Sequence, residues 1–402
     1  MRGYWKRAAG LALLTLCCAC GRTGFEDAAP SDDPADWPVD TGLTYRLELG
    51  EPRWVVPSDS LPSRIRCQPA CNNVDIHFFG QRLFLAFRTA PNHFASDRTE
   101  LYVLSSTDQG AHFDFETRVA MGCDLREPRL LAVGDELQLI FFEAGVDMLA
   151  FEPRAVWRTF RIAQGEWTAP EKLFDAPLVP WDVKLRSGRA WMSAYAGEHY
   201  TGELGELEVY FQCSDDGRSW QPVGSAERVY RGGVSEVAFE FDADGSLWAV
   251  TRNEDGDASG FGSHVCTAPA DKLDEWTCSA PCDPERYDSP ELFRHGDEIY
   301  LIARRDVGGP FGPEGDLVAY SLRPKRSAIY GIDKAAHRVV HLQDIPGVGD
   351  TAFPAVRRTG AHSFLLANYS SPLDEPDISW LEGQASARGT QIYLLDVELV
   401  PE

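Results

Sequence analysis

Paired apolar strands joined by a glycine turn recur six times along the chain. In each copy an acidic or proline-containing stretch leads into one apolar strand, and a second apolar strand follows the glycine, as in NNVDIHFFGQRLFLAFR. The steps between the turn glycines are 54, 54, 57, 51 and 64 residues, and the glycines are Gly80, Gly134, Gly188, Gly245, Gly296 and Gly360. A repeat of about 50 residues that contains only strands and turns is typical of a β-propeller blade and not of a helical solenoid.

The segments between the repeats predict two further strands per copy. After the first copy, strand-forming residues run over 99–105 and again over 115–119. Four antiparallel strands make one blade, so the pattern predicts an all-β fold, a six-bladed β-propeller. Only one clear strand, 391–397, follows the last copy. We therefore expect the strand at 44–49 to complete the sixth blade and close the ring, which removes an exposed sheet edge.

The first 43 residues lack the repeat and indicate processing and tether segments. Three basic residues precede the apolar run 8–16, which is too short to cross a bilayer as a helix and is typical of a secretory signal. Residues 1–19 are therefore predicted to be a signal peptide. Residues 20–43 are rich in proline, aspartate and alanine and predict a lipidated flexible tether, with the propeller at 44–402.

The cysteines at the end of the signal resemble a bacterial lipobox. Ala19 supplies the small residue before the cut and Gly21 follows, so Cys20 is expected to carry the lipid, with Cys17 or Cys18 as alternatives. The lipobox implies an exported lipoprotein, anchored in a membrane and facing the periplasm or the cell surface. An ordinary cleaved signal peptide is the other interpretation.

Acidic residues dominate the charge of the chain. The formal net charge is −24, and it becomes −27 once the three basic residues of the signal are removed. Such a surface disfavours nucleic acid and anionic membrane surfaces as partners. We expect a monomer that meets the membrane through its lipid anchor.

Seven of the ten cysteines lie beyond Cys20, and an exported protein favours disulfides over free thiols. Cys266 is expected to pair with Cys278, across a predicted hairpin, or with Cys282. The odd number leaves at least one thiol unpaired. The closely spaced cysteine pairs lack neighbouring histidines in the sequence, so neither a metal nor a cofactor is predicted.

Two turns carry a second repeated motif, S-x-D-x-G-x-x-F/W. Residues 106–113 fit it, and residues 213–220 fit it except for a cysteine in the first place. The aspartate of such a turn caps backbone amides, and the glycine takes a positive φ. Together with the six repeats, these turns resemble the Asp boxes, or BNR repeats, of the sialidase superfamily. The resemblance implies a sialidase-like propeller in which the boxes are structural.

Charged residues stand at the strand ends that meet at one mouth of a propeller. The inner strand of each blade begins there and the next strand ends there, so these residues rim one pocket. Buried charge is costly unless it is paired or used, and salt bridges that seal the channel are the alternative explanation. The predicted pocket residues at these strand ends are Asp75, Arg88, Glu127, Asp182, Tyr195, Glu236, Arg252, Glu291, Arg304 and Tyr369. His93 is a further candidate, on a loop at the same mouth, five residues past Arg88.

The sialidase resemblance implies roles for some of these residues. Glu236 and Arg252 match the family's glutamate and one of its three substrate-binding arginines, and Arg304 matches a second more loosely. Asp75 is the candidate acid or base, and Tyr369 is the candidate catalytic tyrosine. The chain departs from the family where an arginine should open the first blade and a tyrosine the sixth. We therefore expect a carbohydrate ligand, and a glycoside hydrolase that acts on an acidic or neutral sugar.

Two other functions stay open. A propeller that binds a carbohydrate or a protein without catalysis is motivated by the two departures from the family. A polysaccharide lyase would use Arg88 to neutralise a uronate and His93 or a tyrosine as the base.

Overall fold

The protein is described here by a computed structural model that covers residues 30–148, 150–199, 204–312 and 314–402. Within these ranges the chain forms six antiparallel sheets and two short α-helices. The predicted all-β, six-bladed β-propeller is therefore confirmed. The predicted signal peptide and Cys20 lie outside the described residues. Neither described helix has the length and apolar character that a membrane span requires.

The first half of the chain supplies three blades, and each blade has its strands in chain order from the channel outward. A 3-10 helix at Pro34–Asp36 and the strands β1 (Tyr45–Leu49) and β2 (Arg53–Val56) precede them. The strands of blade one are β3 (Ala70–Phe79), β4 (Arg82–Ala90), β5 (Glu100–Ser106) and β6 (Asp114–Val119). Those of blade two are β7 (Asp124–Val133), β8 (Glu136–Ala144), β9 (Pro153–Ala163), β10 (Glu166–Trp167) and β11 (Glu171–Phe174). Those of blade three are β12 (Val179–Arg186), β13 (Arg189–Ala196), β14 (Leu207–Ser214), β15 (Gln221–Pro222) and β16 (Tyr230–Gly232).

The second half supplies three further blades and both helices. The strands of blade four are β17 (Val234–Phe241), β18 (Leu247–Asp257), β19 (Gly260–Ala268) and β20 (Thr277–Cys278). Blade five consists of β21 (Asp288–His295), β22 (Glu298–Asp306), helix α1 (Leu317–Ser321), β23 (Lys325–Asp333) and β24 (Arg338–Ile345). Blade six consists of β25 (Ala352–Arg358), β26 (Ser363–Ser370), helix α2 (Trp380–Ala385) and β27 (Gln391–Pro401).

Blade six is closed by the N-terminal strand, as predicted. Strand β1 pairs antiparallel with β27, with Tyr45 opposite Pro401 and Leu49 opposite Val397. Strand β2 pairs with β27 further along, where Arg53 lies opposite Leu394. The pairing joins the two ends of the propeller and covers an edge of β27 that would otherwise be open to another chain.

A β-bulge interrupts the inner strand of every blade near the same mouth of the channel. The register shifts in β3, β7, β12, β17, β21 and β25. The bulge residues with positive φ are Asn73, Glu127, Glu236, Ser289 and Phe353, at 47–52°. A residue other than glycine in this region costs about 1–3 kcal/mol, and such strain concentrates at functional sites. A bulge also re-aims side chains, because it changes which face of the strand each following residue occupies.

Apolar side chains fill the spaces between neighbouring blades. Phe84 of blade one and Phe141 of blade two are fully buried in one such layer, and Ile302 of blade five shares another layer with Leu395 of blade six. One disulfide, between Cys266 and Cys278, joins β19 to β20 within the described part of the chain. This resolves the two pairings that the sequence left open for Cys266, and Cys282 keeps a free, half-buried thiol.

The position of the aspartate that caps the backbone differs by one residue between the two predicted aspartate turns. In the first, Asp108 Oδ1 accepts a hydrogen bond from the amide of His112 at 2.9 Å. In the second, Asp216 and not Asp215 accepts the amide hydrogen bonds, including that of Ser219 at 2.7 Å. Asp215 is instead exposed and pairs with Arg189. The capping aspartate of this turn is therefore Asp216, one residue later than the sequence comparison placed it, while Gly217 keeps the positive φ of the motif glycine.

Residues 30–33 lie at the opposite mouth, where the glycine turns lie. Asp32 Oδ1 accepts a hydrogen bond from the amide of Arg358 at 3.0 Å, and Asp32 Oδ2 lies 3.3 Å from Arg186 Nη1. Both arginines are buried, so an acceptor at this place offsets the cost of their burial. Residues 30–36 thus contact the propeller in the described structure, and the flexible tether over 20–43 stays a prediction.

Candidate active site at the propeller mouth

A cavity of about 390 Å³ opens at the mouth that carries the bulges. Its size suits a small organic ligand. Six of the predicted pocket residues line it together: His93, Glu127, Tyr195, Glu236, Arg252 and Arg304. The apolar part of its wall comes from loops, from the two helices and from the bulge of β25, and it includes Phe94, Phe151, Leu317, Phe353, Trp380 and Leu381. A polar floor and an aromatic wall therefore face the same space.

Glu236 is held at the bulge of blade four by two donors. Its Oε1 lies 2.8 Å from Arg252 Nη1, and its Oε2 accepts a hydrogen bond from the amide of Ser289 at 2.8 Å. Burial raises the pKa of Glu236 to about 7, an effect that outweighs the pull of Arg252 and is increased by the nearby Asp288 and Glu254. Glu236 therefore exists in both protonation states near neutral pH.

Glu127 occupies the equivalent bulge of blade two. It accepts a hydrogen bond from Asn73 Nδ2 at 2.8 Å, which comes from the bulge of blade one. Burial raises the pKa of Glu127 to about 7 in spite of Arg129, Arg126 and Arg88. Two bulge glutamates with pKa values well above that of a free carboxyl group thus line one cavity.

Three arginines surround a carboxylate that belongs to the protein itself. Asp288 Oδ1 accepts a hydrogen bond from Arg286 Nε at 2.5 Å, and Asp288 Oδ2 accepts one from Arg304 Nη1 at 2.7 Å. Arg252 Nη1 lies 3.9 Å from the same carboxylate. The hydroxyl of Tyr320 also donates to Asp288. Burial opposes the ionisation of Asp288, but these arginines hold its pKa well below the ordinary value.

This cluster contains as many acidic residues as arginines. Glu254 lies 2.6 Å from Arg252 Nη2 and 2.5 Å from Arg286 Nη2. With Asp288 and Glu236, three acids therefore face the three arginines. Aromatic rings complete the packing, since Arg286 lies 4.3 Å from the ring centre of Tyr320, and Arg304 lies 4.8 Å from that of Trp380.

The helices α1 and α2 carry parts of this cluster that the repeat did not reveal. Tyr320 lies in α1 and Trp380 in α2, and both helices are insertions between blade strands. Arg286 lies just before β21 and is fully buried. The equivalent position in blade two, three residues before the bulge residue, is Asp124, so the repeat gave no signal for an arginine at this place.

His93 forms a dyad with a buried aspartate. Its Nδ1 lies 2.9 Å from Asp350 Oδ2, which favours the tautomer with the proton on Nδ1 and leaves Nε2 as an acceptor. Burial lowers the pKa of His93, and this outweighs the opposite effect of Asp350, so the imidazole is neutral at neutral pH. Tyr369 donates a hydrogen bond to Asp350 Oδ1 at 3.1 Å.

Tyr369, the candidate catalytic tyrosine, does not line the cavity. It is fully buried beneath the mouth, with its hydroxyl turned to Asp350. The residue at the bulge of blade six is Phe353, which lines the cavity but has no hydroxyl. Arg88 is likewise fully buried and donates to Asp124 Oδ1 at 2.8 Å and to Phe94 O at 3.0 Å. Arg88 therefore does not contact the cavity, and the structure does not support its predicted role in ligand binding, including the role in the lyase hypothesis.

Three predicted acids lie deeper in the channel and form its middle layer. Asp75 accepts hydrogen bonds from the amide of Leu130 at 2.6 Å and from Arg357 Nη2 at 3.1 Å. Asp182 accepts from Lys184 Nζ at 2.9 Å. Glu291 lies between the same two cations, 3.8 Å from Lys184 Nζ and 3.5 Å from Arg357 Nη1. These salt bridges seal the channel, so the candidate acid or base Asp75 is separated from the cavity.

The fold resembles that of known sialidase structures. No protein-family model matches the sequence, and no curated protein is significantly similar to it. A Dyadobacter fermentans protein of unknown function superposes with a TM-score of 0.60 at 14% identity, over 88% of this chain and 99% of that one. A Trypanosoma rangeli sialidase in complex with sialic acid gives 0.56 at 13% identity, over 89% of this chain and 59% of the sialidase. The endosialidase of phage phi92 gives 0.55 at 9% identity, over 90% and 70%. This is a sialidase-like six-bladed propeller. At these identities the likeness extends to the fold alone.

Proposed function

We propose that the protein is a glycoside hydrolase that cleaves a glycan at the mouth cavity, with Glu127 and Glu236 as its acid and base. The observation that carries the proposal is the pair of bulge glutamates in one cavity, each with its pKa raised to about 7. Glycoside hydrolysis needs one protonated and one ionised carboxyl group at the same pH. Two such groups near neutral pH meet that need.

The hydrogen bonds favour Glu236 as the base and Glu127 as the acid. Arg252 and the amide of Ser289 stabilise the ionised form of Glu236, which then takes a proton from an attacking water. Glu127 has only the amide of Asn73 as a direct side-chain donor among the described residues, so its protonated form gives its proton to the leaving oxygen. Phe353 carries no nucleophilic group, so this bulge offers no tyrosine nucleophile, and the step we propose is direct attack by water with inversion.

The charges of the cavity favour a neutral sugar. The Trypanosoma rangeli structure holds sialic acid, which carries a carboxylate. In this chain, Asp288 already accepts hydrogen bonds from Arg286 and Arg304, so a second carboxylate would bring an unmatched negative charge into a buried place. The aromatic wall, with Trp380 and Phe353, offers apolar surface for the face of a sugar ring.

The test is turnover on a library of neutral and acidic oligosaccharides by the unmutated protein and by Glu236→Gln. We expect reducing ends to be released from neutral glycans only, and a loss of at least about 100-fold in kcat for the variant. Glu136→Gln, an exposed substitution beside the glycine turn of blade two and at the mouth opposite the cavity, is the control and should retain full turnover. Release from acidic glycans alone would contradict the proposed substrate class.

A carbohydrate-binding propeller without catalysis is the second candidate, and the hydroxyl-free Phe353 favours it. Glycan arrays distinguish the two functions. Retention of a glycan without product, unaffected by Glu236→Gln, would support the binding module and contradict hydrolysis.

We also propose that the protein is exported and carries a lipid on Cys20. The basic residues, the short apolar run and the small residue before Cys20 support this. Metabolic labelling with a fatty-acid probe is the test, and Cys20→Ser should lose both the label and the membrane fractionation. An unmutated protein that takes no label would contradict the proposal.

A further inference from the structure

Three metal-ligand side chains from separate segments meet beside blade four. Asp257 ends β18, His264 lies in β19, and Cys282 lies in the loop that leads to blade five. His264 Nε2 is 3.3 Å from Asp257 Oδ2 and 3.6 Å from Cys282 Sγ. Cys282 does not take part in the disulfide of the same blade.

These distances correspond to the edges of a tetrahedral zinc site. Zinc binds sulfur at about 2.3 Å and nitrogen or carboxylate oxygen at about 2.0–2.1 Å. Tetrahedral angles then separate the nitrogen and oxygen by about 3.3 Å and the nitrogen and sulfur by about 3.5 Å. We propose that Asp257, His264 and Cys282 bind a divalent zinc ion.

The groups around the three ligands orient them for this role. His264 Nδ1 donates to the carbonyl oxygen of Ser279 at 2.8 Å, which leaves Nε2 as the acceptor for a metal. Tyr230 donates its hydroxyl to Asp257 Oδ2 at 2.8 Å. Asn253 Nδ2 lies 3.0 Å from Cys282 Sγ. Second-shell contacts of this kind fix the orientation of metal ligands in proteins.

Charge also favours a divalent ion at this place. His264 is buried, and Asp257 and Cys282 are partly buried. A carboxylate and a thiolate together carry two negative charges, which one divalent cation neutralises. A thiolate and a nitrogen ligand favour zinc over magnesium or calcium, which prefer oxygen ligands.

The ion would have a structural role next to the catalytic cavity. Asp257 follows Glu254 by three residues, and Cys282 precedes Arg286 by four. The site would therefore join the β18–β19 hairpin to the loop before β21, the two segments that supply the Glu254–Arg286 ion pair. The proposal does not depend on the proposed hydrolysis, because the ligands and the test are separate from the cavity.

The experiment is a cobalt titration of the metal-free full chain, with zinc content measured by mass spectrometry on the protein as purified. We expect one equivalent of zinc, and with one equivalent of Co²⁺ a thiolate-to-metal absorption band in the near ultraviolet. Cys282→Ser should abolish the band, and Asp257→Asn should weaken Co²⁺ binding at least about 10-fold. Cys67→Ser removes an exposed free thiol and should leave the titration unchanged.

The unmutated protein alone can overturn the proposal. Absence of a thiolate band at one equivalent of Co²⁺ would contradict the site even if a variant failed to fold. A band that persists in folded Cys282→Ser would assign the metal to another thiol. Alkylation of Cys282 by iodoacetamide gives a second measurement, and an alkylation rate that zinc does not slow would also refute zinc binding.

Discussion

Asp288→Asn removes the single carboxylate that three arginines share while keeping the shape of the side chain. Asp288 is fully buried and accepts hydrogen bonds from Arg286 and Arg304. Removal of one partner from a buried ion pair costs about 3–5 kcal/mol, because the remaining charge stays buried without its counter-charge. We expect the variant to be destabilised by this amount at pH 7.

The expected change is measurable by thermal unfolding. At about 2.1 cal/mol/K per residue, the roughly 370 described residues give an unfolding entropy of about 0.8 kcal/mol/K. A loss of about 3–5 kcal/mol then lowers the unfolding midpoint by about 4–6 °C. Asp114→Asn breaks an exposed pair with Arg82 and serves as the control, with an expected loss below about 1 kcal/mol.

The loss of stability in Asp288→Asn should depend on pH, and the shifted pKa of Asp288 gives the direction of this dependence. Burial raises the pKa of Asp288, but Arg286, Arg304 and Arg252 lower it more, and the net pKa in the folded protein is depressed. A carboxyl group with a depressed folded pKa stabilises the protein above its ordinary pKa near 4 and loses that contribution as the pH falls further. The difference between the unmutated protein and Asp288→Asn should therefore narrow below pH 4.

A second measurement on the same variant tests whether Asp288 determines the selectivity against carboxylate ligands. Without Asp288, the arginines have an unmatched positive charge, so millimolar acetate or glucuronate should raise the unfolding midpoint of Asp288→Asn but not that of the unmutated protein. A variant within 1 °C of the unmutated protein at pH 7 would refute the reasoning. A carboxylate effect of equal size in both proteins would refute the assignment of Asp288 as the internal counter-charge.

Three other substitutions test separate parts of the structure. Glu127→Gln should reduce kcat by about 100-fold or more and remove the fall in activity above pH 7, where the acid with its pKa raised to about 7 loses its proton; an unchanged pH–rate profile would exclude Glu127 as the acid. Tyr369→Phe should keep turnover within about 10-fold and lower stability by about 1 kcal/mol through the lost bond to Asp350, whereas a catalytic tyrosine would lose all turnover. The double change Cys266→Ser and Cys278→Ser should cost about 2–3 kcal/mol in denaturant unfolding, because it opens a short loop of 12 residues, and an unchanged midpoint would contradict this.

The fold could be predicted from the repeat because each blade has its own strands and its own turn glycine. The same repeat could not predict which residues line the site. A bulge in each inner strand changes the face on which the side chains of the next residues lie. Glu127 and Glu236 lie at the bulge and reach the cavity, while Asp75 and Glu291 lie two residues beyond their bulges and join the salt bridges of the channel. Hydrophobic alternation does not reveal a bulge, and acids before and after it look equivalent in the sequence.

Insertions between blade strands explain the other residues that the sequence did not predict. Trp380 and Tyr320 lie on short helices that have no helical counterpart in the described parts of the other blades, so a comparison of repeats leaves them out. The same applies to the approach of Cys282 to His264, which depends on the path of a loop between blades four and five. Side chains that meet through such loops need the three-dimensional structure to be recognised.

Asp32 binds at the glycine-turn mouth, so the N-terminal end of the described chain and the cavity lie at opposite faces of the propeller. Pro30, the first described residue, lies at that face, and the cavity lies at the far end of the inner strands. Strand β3 alone has 10 residues, which corresponds to about 30 Å between the two faces. A resin or a fused domain joined directly at Pro30 would therefore hold the propeller by the face opposite the cavity, and the cavity would stay open to large or surface-bound ligands.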